Sequence, residues 1–249
     1  MRVTVLGATG EMGGRVCAHL EARGHSVGRA SRGAGVDAYT GAGLADAFSG
    51  ADAVVDCLNV RTLSERKAVQ FFSTTASNVA AAARTGGVAH VVCLSIANVH
   101  DPAVSRRIGY YAGKAAQEGA YRDSGAPVTV VSSAQWYELA RTLLHQLRLG
   151  RIAFVPHMLI QPVAADSVAA VLAEVVEKRE VQASLIVAGP ERRDLVDLAR
   201  RLAAVEEPSA RVIGIPGLGR AVRSGGLVPR GTSVVDSVRF EDWALRPWR

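Results

Sequence analysis

The sequence predicts an α/β fold, a doubly wound parallel sheet with a smaller C-terminal lobe. Three observations predict it. Short apolar runs alternate with longer segments of helical periodicity through the first half, the rhythm of strand–helix–strand crossovers in a parallel sheet covered on both faces. The first run, RVTVL, ends directly in a glycine-rich turn. After Gly150 the texture changes to short apolar pieces among glycine and proline.

In order, Arg2–Leu6 is a β-rich strand, and Met12 to Arg23 a helix with Val16 and Leu20 on its inner face and Gly24 as its stop. SVGRA is a weaker second strand. DAVVDCL (Asp52–Leu58) is a buried strand, and Glu65 to Arg84 a long helix. Val88–Ser95 is the next strand, followed by a helix from Tyr110 to Ser124 that ends at Gly125 and Pro127. Val128–Ser132 is a strand, and a helix surrounds Tyr137–Leu149. Beyond Gly150, the apolar pieces IAFVP, SLIVAG and RVIGIP are separated by helical patterns at Asp166–Lys178 and Arg192–Val205. No Ser/Gly linker intervenes, so residues 1–249 are expected as one domain, with about 151–249 contributing the lobe.

At 249 residues the chain can bury a sizeable core unaided. Its 49% hydrophobic and 21% charged content excludes general disorder. No apolar run approaches the ~20 residues of a membrane helix. The N-terminus reads as neither signal nor transit peptide, and a cytoplasmic protein is expected. Cys17, Cys57 and Cys93 sit in apolar stretches and read as reduced core residues. The six histidines show no HxxxH or HExxH spacing, so no metal is expected. There is no GxSxG elbow of a hydrolase. The net charge of +6 divides into 18 basic and 15 acidic side chains over 1–189, and 11 and 8 over 190–249. With no basic domain and no nucleic-acid-binding motif, the expected partner is a small molecule, not nucleic acid or membrane, with a homo-oligomer left open. One stretch, Arg211 to Arg230, holds four arginines and no acid; it reads as a solvated loop, with a site for an acidic substrate or cofactor as the alternative.

Gly7-Ala8-Thr9-Gly10-Glu11-Met12-Gly13 lies between the first strand and the first helix. Gly7 makes the sharp turn, Gly10 lets the backbone approach a pyrophosphate, and Gly13 lets the helix pack on the sheet. The helix N-terminus adds free N–H groups and partial positive charge, so Gly7, Thr9, Gly10, Glu11, Met12 and Gly13 are cofactor-binding candidates. An NAD site wants a carboxylate at the end of the second strand. From Gly24 to Val36 there is none; Arg29, Ser31 and Arg32 stand there instead. Arg32 follows the strand end, where a guanidinium can pair with a 2′-phosphate, and this favours NADP(H). Asn59, closing the strand over the expected adenine and ribose edge, is a further cofactor-binding candidate.

These features, together with HVVCLSI, GYYAGKAAQEGAYRDSGAPVTVV and IQPVAADSVAAVL, resemble the atypical short-chain dehydrogenase/reductases, in particular the NmrA-like NAD(P)H-binding group. The resemblance runs through most of the chain. It implies a Rossmann fold with a small substrate lobe and a nicotinamide or regulatory NADP site. Some members reduce quinones or other small carbonyl compounds; others have lost catalysis and act as NADP-responsive regulators.

Tyr110 and Lys114 are spaced i, i+4 on the predicted helix, one turn apart on one face. The superfamily's YxxxK pair has this spacing. It implies that Lys114 binds the nicotinamide ribose and activates the tyrosine, which exchanges a proton with the substrate oxygen. Tyr111 shares the face of Lys114 at i, i+3, but the YxxxK match names Tyr110. Ser95, at the end of its strand, matches the superfamily serine that holds the substrate carbonyl. An arginine often found early after the next strand is replaced here by SSAQW (Ser132–Trp136). Ser132, Ser133, Gln135, Trp136, Tyr137 and His157 are weaker pocket candidates. The leading expectation is an NADPH-dependent reductase of a small carbonyl or quinone-type substrate. The alternatives are a non-catalytic NADP(H)-binding regulator and a same-fold enzyme of non-redox chemistry.

Overall fold

The alternation resolves into seven parallel strands. A computed structural model describes residues 1–179, 181, 184–217 and 219–246. β1 (Arg2–Leu6) leads to α1 (Glu11–Ala22), β2 (Ser26–Ala30), α2 (Leu44–Phe48) and β3 (Ala53–Asp56). α3 (Glu65–Thr85), β4 (His90–Ile96), α4 (Pro102–Ser105), α5 (Gly109–Ser124) and β5 (Val128–Ser133) follow. Then come α6 (Glu138–Gln146), β6 (Arg148–Leu149), β7 (Ile152–Pro156), β8 (Leu159–Ile160), α7 (Ala165–Lys178) and β9 (Ser184–Ala188). The chain closes with β10 (Arg193–Asp194), α8 (Leu195–Glu206), β11 (Arg211–Ile215), α9 (Arg220–Arg223), β12 (Val234–Val235) and α10 (Phe240–Ala244).

The sheet order is β2-β1-β3-β4-β5-β9-β12. From β1 the chain first adds β2 on one side, then crosses to add β3 on the other. The topological switch point therefore lies between β1 and β3, and ligands of open α/β sheets bind at the carboxyl ends of such strands. α1 and α7 cover one face through Val16, Cys17, Leu20, Val168, Leu172 and Val176. α2, α3 and α5 cover the other through Phe48, Ala76, Val79, Ala83 and Tyr121. A third cluster, with Leu144, Val155, Ile160, Leu198, Leu202, Phe240 and Trp243, is the core of the C-terminal lobe. Among the described residues, no helix is long and apolar enough to cross a membrane.

Two departures from the sequence pattern have physical causes. SLIVAG, expected in the lobe, forms β9 and pairs with β5 in the central sheet. The reason is α7: its buried Val168, Leu172, Val175 and Val176 complete the apolar layer beside α1. The strand after it thus returns to the sheet as another crossover unit. The strand expected over Asp52–Leu58 is shorter because Asp56 Oδ1 accepts a hydrogen bond from the Leu58 amide at 2.9 Å, turning the chain out of the sheet.

α5 lies unusually close to α3. A Cβ on Gly109 would sit 2.8 Å from Glu65 Cα, and one on Gly113 would sit 2.8 Å from Phe72 Cδ2. The two glycines, four apart, face α3 on one stripe, and this fixes the height at which Tyr110 and Lys114 meet the sheet.

Candidate active site

The nucleotide half of the site is built from backbone. Gly7 turns out of β1 with φ +72, and a Cβ there would lie 2.8 Å from the Cys57 carbonyl oxygen just past β3. Gly10 starts α1 in an extended conformation and no side chain caps it. The helix's first amides are therefore left for a ligand. A Cβ on Gly13 would collide with the Gly7 carbonyl. Thr9, Gly10 and Glu11 are exposed, while buried Met12 anchors the helix below them. Glycines keep this cradle open, and its uncapped amide donors fit a pyrophosphate.

At the end of β2, Ser31 opens a tight turn in which its carbonyl accepts from the amides of Ala34 (2.9 Å) and Val36 (3.0 Å). Arg32 is exposed on this turn and makes no ion pair among the described residues. Arg29, the other cation considered for the phosphate, is instead held by Glu21 at 3.0 Å.

The reaction half is built from side chains. The Tyr110 hydroxyl donates to Asn59 Oδ1 at 2.8 Å, and its ring meets the Phe72 ring edge-on. Lys114 is 3% exposed. Its Nζ donates to the Leu94 carbonyl (3.0 Å) and to Gln117 Oε1 (2.9 Å) and lies over the Phe72 ring. Gln117 Nε2 in turn donates to Asp56 Oδ2 at 2.9 Å, which also accepts from the Tyr121 hydroxyl at 2.6 Å. The buried ammonium is thus compensated by a buried carboxylate one amide away. Burial first, and the Asp56 charge second, hold the Tyr121 hydroxyl far above the usual tyrosine range.

Ser95 is buried at the end of β4 and donates to Glu118 Oε1. Glu118 Oε2 pairs with His100 Nε2 at 2.7 Å, and the His100 side chain is 56% exposed. Tyr111 turns away from Tyr110. It is buried, its hydroxyl accepts from Gln135 Nε2 at 2.7 Å, and burial raises its pKa well above that of a free tyrosine. It belongs to the core of the C-terminal lobe.

Of the weaker candidates, Ser133 accepts from Trp136 Nε1 at 3.0 Å, and Ser132 lies beside it, buried. Tyr137 packs on Phe240 and Trp243 and donates to the Val238 carbonyl. His157 pairs with Asp194. The three cysteines are free and buried, and burial pushes the thiols of Cys57 and Cys93 up.

Sequence reasoning missed Asp56, Gln117, Tyr121, Glu118 and His100. Two signals were available: a carboxylate inside an otherwise apolar strand, and polar groups at i+3 and i+4 from Lys114.

The sequence profile of the NAD(P)H-binding family matches residues 7–179, from the glycine turn to the end of α7. The chain belongs to that family. Its cofactor is therefore NAD(P)H. No curated protein sequence matches. Among solved structures, dTDP-4-dehydrorhamnose reductase from Clostridium acetobutylicum superposes with TM-score 0.77 at 16% identity, over 92% of this chain and 90% of that one. The Bacillus anthracis enzyme of the same name, in complex with NADP, gives 0.77 at 13% identity, covering 98% and 96%. Citrobacter sp. triphenylmethane reductase, complexed with NADP(H), gives 0.63 at 18% identity, covering 87% and 79%. At these identities the likeness is one of fold, a Rossmann-type α/β sheet.

Proposed function

We propose that the protein is an NADPH-dependent oxidoreductase that reduces a carbonyl or quinone-type group of a small molecule. One chain of contacts carries the proposal. Gly7 abuts the Cys57 carbonyl, and two residues on, Asn59 holds the Tyr110 hydroxyl. The proton donor is thereby tied to the same strand end as the nucleotide loop.

In this scheme the Gly7–Gly13 loop and the start of α1 hold the pyrophosphate. Ser31 and Arg32 hold the 2′-phosphate, the latter as a guanidinium with no competing carboxylate. Asn59 borders the ribose. A bound NADPH supplies the hydride. Tyr110 gives its proton to the reduced oxygen, exchanging Asn59 for the substrate as its hydrogen-bond partner. The Lys114 ammonium stabilises the phenolate left behind and keeps one of its three N–H donors for the ribose. Ser95, whose hydroxyl donates to Glu118 in the free protein, would release that carboxylate and donate to the substrate carbonyl oxygen.

A specific observation favours a second reading. The hydroxyls of Tyr110 and Ser95 and the ammonium of Lys114 all bond within the protein. A non-catalytic NADP(H)-responsive protein would show the same arrangement. The deciding experiment follows NADPH absorbance with a panel of carbonyl and quinone compounds. Oxidation by any of them, abolished in Tyr110→Phe, supports the reductase. Tight NADPH binding with no oxidation across the panel supports the second reading.

A further inference from the structure

The loop after β4 and the short helix α9 meet where Arg107 lies against Gly219, and their charges are unbalanced. Arg106 and Arg107 close α4 one turn before Tyr110, and Arg220 and Arg223 are both on α9; all four are exposed. The Arg107 guanidinium lies against Gly219, the residue that starts α9: a Cβ there would sit 3.0 Å from its Nη1 and 3.3 Å from its Cζ. Gly219 has φ +100, a conformation that favours glycine. The Arg223 stem passes Gly217 in the same way, 3.4 Å from where a Cβ would be. Gly219 thus lets the Arg107 side chain lie directly on the backbone of this segment, while Gly217 makes room for the His157 carbonyl.

None of the four arginines makes an ion pair among the described residues. The nearby carboxylate, Asp101, already pairs with Arg230 at 3.2 Å and caps α4. The loop itself is pinned to the lobe by Asn98, in the left-handed region at φ 64, whose amide donates to the Gly226 (2.9 Å) and Val228 (2.7 Å) carbonyls. The cluster is therefore held in place, not merely adjacent in sequence. Arginines deeper in the lobe are neutralised: Arg141 pairs with Glu206, Arg148 with Glu207, and Arg193 with Glu191.

Like charges gathered without a carboxylate repel one another, and a multivalent anion relieves that repulsion. Guanidinium forks match the oxygens of phosphate in a bidentate way, and a cationic rim raises the local concentration of such a ligand. We propose that the substrate carries a phosphate or diphosphate group that docks on Arg107, Arg220 and Arg223 while its reducible end reaches Tyr110. This rests on the oxidoreductase reading for the role of the ligand, but not for its binding.

The test is calorimetric titration of the NADPH-saturated protein with inorganic pyrophosphate. Saturation keeps the probe out of the glycine cradle. The expected result is binding that weakens at least tenfold in Arg107→Ala/Arg223→Ala and in Arg220→Ala/Arg223→Ala. Arg122→Ala, an exposed arginine late in α5, should leave it unchanged. Circular dichroism verifies that each variant is folded. No pyrophosphate binding by the NADPH-saturated protein, binding only when NADPH is omitted, or equal binding by the double variants would each overturn the proposal. Failure of the oxidoreductase reading shows separately, as absence of NADPH oxidation, because the titration needs no turnover.

Discussion

Around Gly7 the site is made of backbone; around Lys114 it is made of side chains. In the first region Thr9, Gly10, Glu11 and Arg32 are exposed, and the cradle's shape comes from three glycines and a helix start within seven residues. In the second, Lys114 is tied to Gln117, Gln117 to Asp56 and Ser95 to Glu118, partners as far as 61 residues apart. On the proposed function, the first region could take its ligand as it stands, whereas the second would have to exchange internal hydrogen bonds for external ones. A cofactor loop can be rigid because every ligand it takes has the same pyrophosphate. A reaction site that excludes water before the substrate arrives must satisfy its polar groups internally.

The largest expected effect breaks the reaction region alone. Tyr110→Phe removes one hydroxyl and its bond to Asn59, leaving the ring on Phe72. Turnover on a confirmed substrate should fall by ~10²–10⁴, the usual value of general acid–base catalysis, with NADPH affinity nearly unchanged by fluorescence titration. Tyr111→Phe should be mild, since that hydroxyl meets Gln135 in the lobe core. An inverted pair of results would move the proton donor to Tyr111.

This contrast also explains what was legible in the sequence. Gly7, Gly10 and Gly13 form a local motif whose spacing alone implies their geometry, and the i, i+4 spacing of Tyr110 and Lys114 implies a shared face. Spacing favours Arg32, past the strand end, but leaves the direction of Arg29 open, because what holds Arg29 is Glu21, one helix earlier in the chain. Likewise Gln117 beside Lys114 and Asp56 in its apolar strand are separate signals in the sequence, and they join only once α5 has packed over β3 and β4. The close approach of α5 to α3 was written in Gly109 and Gly113, a small-residue stripe that reads as a helix surface until its partner is known. The return of β9 to the sheet was hidden because its apolar run resembles the lobe's own strands.

The next effect is on stability. Asp56 is fully buried and balances the Lys114 charge. Asp56→Asn removes the carboxylate that faces this ammonium through Gln117 and weakens the acceptor for the Gln117 and Tyr121 donors, at about 1–3 kcal/mol for each buried group left unsatisfied. Urea denaturation should show this, and adding Lys114→Met should restore part of it, because the orphaned charge is then removed. A loss below about 1 kcal/mol for Asp56→Asn would mean that the network is hydrogen-bonded without being electrostatically coupled.

A smaller effect sharpens the nucleotide region. Arg32→Ala removes a charged contact worth ~1.5–3 kcal/mol, roughly ten- to a hundredfold in affinity. The loss should fall on NADPH and spare NADH, since only the former carries the 2′-phosphate. Equal losses for both would show that Arg32 does not read the phosphate and would leave the Ser31 hydroxyl as its binder.

The smallest effect is expected at Arg29, three residues earlier on the same strand end. Its guanidinium is bound by Glu21 through both Nε and Nη2, at 3.2 and 3.0 Å, and the two side chains are 50% and 46% exposed. An ion pair that open to solvent contributes less than about 1 kcal/mol. Arg29→Ala should therefore lower stability by no more than that in urea. NADPH and NADH affinities should both stay within a factor of two to three, inside the ~0.6 kcal/mol that such a factor represents. The paired substitution Glu21→Ala is more informative. It frees Arg29 within reach of the β2 turn, where a second unpaired guanidinium adds attraction for the 2′-phosphate. NADPH binding should then tighten slightly in Glu21→Ala and return to its original value in Glu21→Ala/Arg29→Ala. If Glu21→Ala instead leaves NADPH affinity untouched, Arg29 points away from the nucleotide even when released, and the phosphate is read by the β2 turn alone.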